Sequence, residues 1–181
     1  MLTIKVFDIP TKLHKCNLPF NIVEHCNQYK DTYTRHASTF AWMCLSKYID
    51  LRKVKFTQNG KPYIVGIKKY FSLSHSFDKV AIAICDKPIG IDIEKTLPLG
   101  IASSLASRVL KGRDLTSYHN AKDQSLWFTK YWTKYEAFNK LKGDKLTLKS
   151  FGYKIKNKTI TKTIRNKQFV LTYILKKKNG E

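Results

Sequence analysis

Gly90-Ile91-Asp92-Ile93-Glu94-Lys95 sets two carboxylates, two residues apart, into an otherwise apolar run. In an extended strand, side chains at i and i+2 share a face, roughly 7 Å apart. Burying two like charges side by side is costly unless a cation joins them. A hard divalent ion such as Mg²⁺ is the natural partner for paired carboxylate oxygens. The spacing fits equally a solvent-facing acidic pair on an edge strand, because alternation makes one face polar in any case. Taken alone, the stretch leaves both readings open.

Working outward, residues 70–73 and 80–85 read as strands joined through Ser74-His75-Ser76, and residues 89–94 read as another strand. Residues 2–8 alternate apolar and polar and predict a strand, and Pro10 and Pro19 bracket a loop. Residues 31–49 are helical in pattern, with Ala37, Phe40, Ala41, Cys44, Leu45 and Tyr48 on one broad face. Asn59-Gly60 marks a turn. A helix is expected over 100–110, and a longer one over 121–142, with Gly143 as its C-cap. Strands return over 153–160 and 168–175, and Lys176-Lys177-Lys178-Asn179-Gly180 reads as a frayed end. The order is α+β, in two halves of comparable size, 1–88 and 89–181, with no sequence repeat between them.

Composition bounds the class. With 181 residues, 43% hydrophobic and 13% aromatic, the chain can bury a real core. The longest apolar runs, such as residues 80–85, are too short to span a bilayer. Met1-Leu2-Thr3-Ile4-Lys5 opens no long apolar stretch or cleavage signal, so the chain is read as cytoplasmic and without a membrane partner. Cys16, Cys26, Cys44 and Cys85 form no CxxC pair and no zinc-type cluster, so free thiols are expected. A net charge of +21 attracts polyanions: nucleic acid, an acidic protein or a phosphate-rich ligand. The same excess of Lys, beside abundant Asn and Ile, fits compositional bias. The lysines are spread along the chain and no nucleic-acid-binding module is evident, so no specific nucleic acid is expected.

Two further blocks flank the acidic pair. Upstream is Phe71-Ser72-Leu73-Ser74-His75-Ser76, preceded by Gly60-Lys61-Pro62. Downstream is Trp132-Thr133-Lys134-Tyr135-Glu136-Ala137-Phe138-Asn139-Lys140. Glu136 and Lys140 stand at i and i+4 and point the same way on a helix, which also describes an ordinary surface ion pair. Trp127, Phe128, Tyr131, Trp132, Tyr135 and Phe138 make that helix aromatic, and rings at helical spacing are read as core.

In this order and spacing, the blocks resemble the 4′-phosphopantetheinyl transferases of the surfactin-synthetase-activating type, over residues 35–151. The resemblance implies two similar halves in a pseudo-twofold arrangement, with the active site in the cleft between them. It implies transfer of 4′-phosphopantetheine from coenzyme A to a serine of an acyl or peptidyl carrier protein, giving the holo carrier and 3′,5′-ADP. It makes Asp92, Glu94 and Glu136 the metal ligands, for Mg²⁺ with Mn²⁺ as the alternative. Glu136 would be the base, and His75 and Lys140 would give positive charge or hydrogen bonds to the pyrophosphate. Lys61, Pro62 and Ser74 would lie by the nucleotide, and Arg35 and Thr39 by its 3′-phosphate and adenine. The partner implied is an acidic carrier protein of fatty-acid, polyketide or nonribosomal peptide synthesis, and the family type suggests a monomer. One departure is clear. The family usually has Lys immediately before the helix glutamate, whereas here Tyr135 stands there and Lys134 is about 100° away around the helix. The competing reading is a noncatalytic homologue that binds coenzyme A or carrier proteins.

Overall fold

Alternation at the start of the chain produces β1 (Leu2–Asp8), which pairs antiparallel along its whole length with β5 (Lys79–Cys85). The other edge of β5 pairs with β4 (Tyr70–Ser76), giving a first sheet in the order β1-β5-β4. β6 (Ile89–Lys95), β8 (Phe169–Leu175) and β7 (Lys158–Ile164) form a second antiparallel sheet in the order β6-β8-β7. The two orders are the same: the first strand of each sheet is an edge and its last strand is central. These features come from a computed structural model, which describes residues 1–164 and 166–176. The basic tail beyond Lys176 lies outside the described residues.

Between β1 and β4 run α1 (Phe20–Asn27), α2 (Thr32–Ser46) and a small hairpin of β2 (Val54–Phe56) and β3 (Pro62–Ile64). Between β6 and β7 run α3 (Leu99–Val109), α4 (Gly112–His119) and α5 (Gln124–Lys142). The Asp31 carboxylate starts α2 by accepting the Thr34 amide at 2.6 Å, and Asp123 starts α5 by accepting that of Leu126 at 2.8 Å. Gly143 ends α5 in the left-handed region, at φ 84°, as a glycine C-cap should.

The sheets lay their inner faces together. Ile4, Val6, Ala81, Ala83 and Cys85 of the first meet Ile91, Ile93, Leu171 and Tyr173 of the second. The small alanines of β5 make room for the branched and aromatic residues opposite. Helices cover the outer faces. Ala41 and Cys44 of α2 sit on Val80 and Ile82, while Ala137 and Leu141 of α5 sit on Ile174. The α5 rings Trp127, Phe128, Tyr131 and Trp132 join Tyr118 and Phe151 in a core of their own, as their spacing predicts. No described helix is long and apolar enough to cross a membrane.

The structure corrects the sequence reading at several points. Ser74-His75-Ser76 is not a connection; it is the end of β4, and the turn falls at Phe77-Asp78, with Phe77 at φ 49°. Side-chain bonds to β6, described below, keep the serines extended. α1, α4 and the β2–β3 hairpin were not expected. α4 buries only Tyr118, and α1 only Ile22 and Cys26, so their apolar periodicity is faint. The strand expected over 153–160 begins only at Lys158.

Candidate active site at the seam of the two sheets

β4 and β6 belong to different sheets, and serine hydroxyls join their facing edges. Ser72 Oγ accepts the Ile91 amide at 3.1 Å, Ser74 Oγ that of Ile93 at 3.3 Å, and Ser76 Oγ that of Lys95 at 3.1 Å. The period of two along both strands makes this repetition possible. Two of the hydroxyls donate onward, Ser74 to Asp92 Oδ1 at 2.7 Å and Ser76 to Glu94 Oε2 at 2.6 Å.

α5 is brought onto the seam by Gly90. A Cβ at this position would stand 2.0 Å from the Ala137 carbonyl oxygen and 2.6 Å from the Leu141 nitrogen, so only glycine lets the helix lie this close. Lys140 Nζ then reaches both Asp92 Oδ1, at 2.7 Å, and Ser74 Oγ, at 2.8 Å. The Ser74 hydroxyl gives its proton to Asp92 and accepts from Ile93 and Lys140, which uses both lone pairs.

A cavity of about 450 Å³ opens over this seam. One wall holds Ser74, His75, Asp92, Glu94, Glu136 and Lys140, and Lys61 and Pro62 border it from the hairpin. The separate sequence blocks thus converge on one space. The other wall comes from α1 and the connection after it, through His25 and Tyr29, and from α2, through Ser38 and Trp42. Sequence reasoning did not find α1, and on α2, a helix it expected, it did not single out Ser38 or Trp42. Arg35 and Thr39 are not among the described lining residues. Arg35 donates through Nε and Nη2 to the Tyr29 carbonyl at 3.2 and 3.1 Å, and Thr39 Oγ1 donates to the Arg35 carbonyl at 2.8 Å.

The acidic pair is not a solvent-facing edge. Asp92 is 3% exposed, and its Oδ2 is buried without a hydrogen-bond partner. Burial, reinforced by the nearby Asp92 charge, pushes the Glu94 carboxyl up to about 7. The same two causes raise Glu136, against the opposing pull of Lys140. Burial, with the Lys140 charge second, lowers His75 to about 4. At neutral pH His75 is therefore a hydrogen-bonding group, and the cation beside the carboxylates is Lys140. Lys61 Nζ donates to the Leu141 carbonyl at 2.5 Å, and burial lowers its pKa.

Orphaned Asp92 Oδ2 and two carboxyls held above their usual range describe an acidic site short of positive charge. In donor chemistry and in charge, the site fits a hard cation. As placed, the side chains do not close a shell. Among the described residues, no group of three His, Cys, Asp or Glu side chains is arranged to hold a metal.

Tyr135 turns away from the cavity. It is buried against Tyr131 and Phe151, with ring centroids 4.8 and 5.2 Å away, and its hydroxyl donates to the Tyr153 carbonyl at 3.1 Å. The departure from the family pattern therefore fills the aromatic core, and Tyr135 is not a cavity residue. Tyr135→Phe is expected to cost about 1 kcal/mol in chemical denaturation, for one hydrogen bond. A loss of several kcal/mol would give the hydroxyl a larger structural role than one bond.

Buried carboxylates, and a lysine joined to one of them, thus border one cavity over the seam of two sheets of equal strand order. Residues 88–177 match the family model described as ACPS, the 4′-phosphopantetheinyl transferase superfamily. Over these residues the chain belongs to this superfamily, and the relatives it matches are named 4′-phosphopantetheinyl transferases, Sfp among them. It is 42% identical over 89 residues to the 4′-phosphopantetheinyl transferase psf-1 of Bacillus pumilus, covering 47% of this chain and 37% of the relative. It is 31% identical over 105 residues to the 4′-phosphopantetheinyl transferase Sfp of Bacillus subtilis (strain 168), covering 55% of this chain and 46% of the relative. A further 4′-phosphopantetheinyl transferase of Bacillus subtilis is 38% identical over 103 residues, covering 54% and 45%. The matched stretch thus spans less than half the length of each of these relatives.

Proposed function

We propose that the chain transfers 4′-phosphopantetheine from coenzyme A to a serine of an apo acyl or peptidyl carrier protein. The observation that carries this reading is the convergence of Lys61-Pro62, Ser74-His75, Asp92, Glu94, Glu136 and Lys140 on one cavity. The serine oxygen attacks the β-phosphorus of coenzyme A and forms a new P–O bond. The phosphoanhydride bond breaks, and 3′,5′-ADP leaves with the electron pair. Glu136 takes the serine proton; its raised pKa suits a proton acceptor better than an ordinary surface carboxylate. Lys140 faces the phosphates as negative charge grows on the leaving group. Neutral His75 adds a hydrogen bond, and Lys61 and Pro62 border the nucleotide.

Asp92, Glu94 and Glu136 would hold Mg²⁺, with Mn²⁺ as the alternative. When bound, the ion supplies neutralisation of phosphate charge and a fixed orientation for the pyrophosphate. The two halves, 1–88 and 89–181, are proposed as pseudo-twofold relatives with the active site in the cleft between them. The identical strand order of their sheets supports this. A chain of net charge +21 favours an acidic carrier.

The test is intact-mass analysis of an apo carrier protein incubated with this chain, coenzyme A and Mg²⁺. A phosphopantetheine mass gain, abolished by EDTA and restored by added Mg²⁺, is expected. No gain across several acyl and peptidyl carriers, from a folded chain, would leave only binding of coenzyme A or of carriers.

A further inference from the structure

The serine row on β4 follows a rule. Each hydroxyl accepts the amide of one β6 residue and faces the side chain of the residue before it. Ser74 takes the Ile93 amide and donates to Asp92. Ser76 takes the Lys95 amide and donates to Glu94. Ser72 takes the Ile91 amide, and the preceding residue is Gly90, which has no side chain to receive a proton. One strand thus presents the same amide bond three times, twice with a carboxylate attached and once without.

We infer that Ser76 is a positioning residue for Glu94, holding the second β6 carboxylate at the cavity from the opposite sheet. Glu94 reaches the cavity through three rotatable bonds, and a hydrogen bond to its carboxylate limits their freedom. The 2.6 Å bond from Ser76 fixes Oε2 and leaves the other oxygen for a cation. The amide bond to Lys95 sets the Ser76 hydroxyl in turn. The Lys95 ammonium, 3.5 Å over the Phe77 ring, pins the end of the row. This rests on the proposed role of Glu94 as a metal ligand. Groups that hydrogen-bond a ligating carboxylate change metal affinity by about 10–100-fold when lost.

The test is calorimetric titration of the full chain with Mn²⁺, alongside thermal unfolding, for Ser76→Ala, Ser76→Thr and Ser72→Ala. Ser76→Ala is expected to weaken Mn²⁺ binding about tenfold or more, and Ser76→Thr, which keeps the hydroxyl, to restore it. Ser72→Ala removes the equivalent amide acceptor and should lower thermal stability comparably while keeping Mn²⁺ affinity within about twofold of the parent, against the tenfold expected for a lost carboxylate partner. Equal weakening by Ser72→Ala and Ser76→Ala would show that the serines only glue the sheets, and would overturn the inference. So would unchanged affinity in Ser76→Ala. A parent chain that binds no Mn²⁺ would overturn the metal reading and this inference with it.

Discussion

Replacing Gly90 with alanine is expected to lower folding stability by about 3 kcal/mol and to abolish carrier modification. The added Cβ would meet two backbone atoms, the Ala137 oxygen at 2.0 Å and the Leu141 nitrogen at 2.6 Å, and neither can rotate aside. Relief requires α5 to move away from β6. That movement separates Glu136 and Lys140, on the helix, from Asp92 and Glu94, on the strand. The Lys140–Asp92 contact, 2.7 Å long, would not survive an outward shift of an ångström or more. Urea denaturation and the carrier mass assay, run on the same preparation, measure both effects. An alanine variant with normal stability would show that α5 does not depend on this close approach.

Asp92→Asn is expected to lower the rate of transfer by about 10²–10³-fold while the chain stays folded. Asparagine keeps the shape and can still accept from Ser74, so the sheets remain joined. The loss is electrostatic: Lys140 no longer faces an anion, and the carboxylate with the unpartnered Oδ2 becomes a neutral amide. The variant should also lose its response to Mg²⁺, because the most buried of the three proposed ligands has gone. Circular dichroism checks the fold and the mass assay reads the rate. Transfer within a few-fold of the parent would remove Asp92 from the chemistry.

Much of this site was legible in order along the chain. Asp92 and Glu94 sit on a strand, and Glu136 and Lys140 on one face of a helix that ends at Gly143, as periodicity and capping predict. Pairing across the seam was not legible from spacing. A Ser-x-Ser-x-Ser run opposite an Asp-x-Glu run has the right period, yet nothing local says that the two strands meet. His75 shows a second limit. Sequence offered it as charge or hydrogen bond, and only its burial beside Lys140 decides for the neutral form. His25, on the cavity wall, was missed because the eight residues of α1, with two buried positions, carry little helical signal. Tyr135 read as an anomaly because rotation about α5 was known, whereas the position of Phe151 was not.

Lys61 belongs to the hairpin of the first half, yet its ammonium completes a carbonyl at the last turn of α5, in the second. The C-terminal carbonyls of a helix lack partners of their own and must be satisfied from elsewhere. The serines of β4 do the same for the amides of β6. Cut at residue 88, the second half would keep its sheet and helices but lose the donors and acceptors that finish them. The two halves are therefore not independent modules joined by a linker. They are expected to melt as one cooperative unit in thermal unfolding, with a lesion in the β2–β3 hairpin felt as instability in α5.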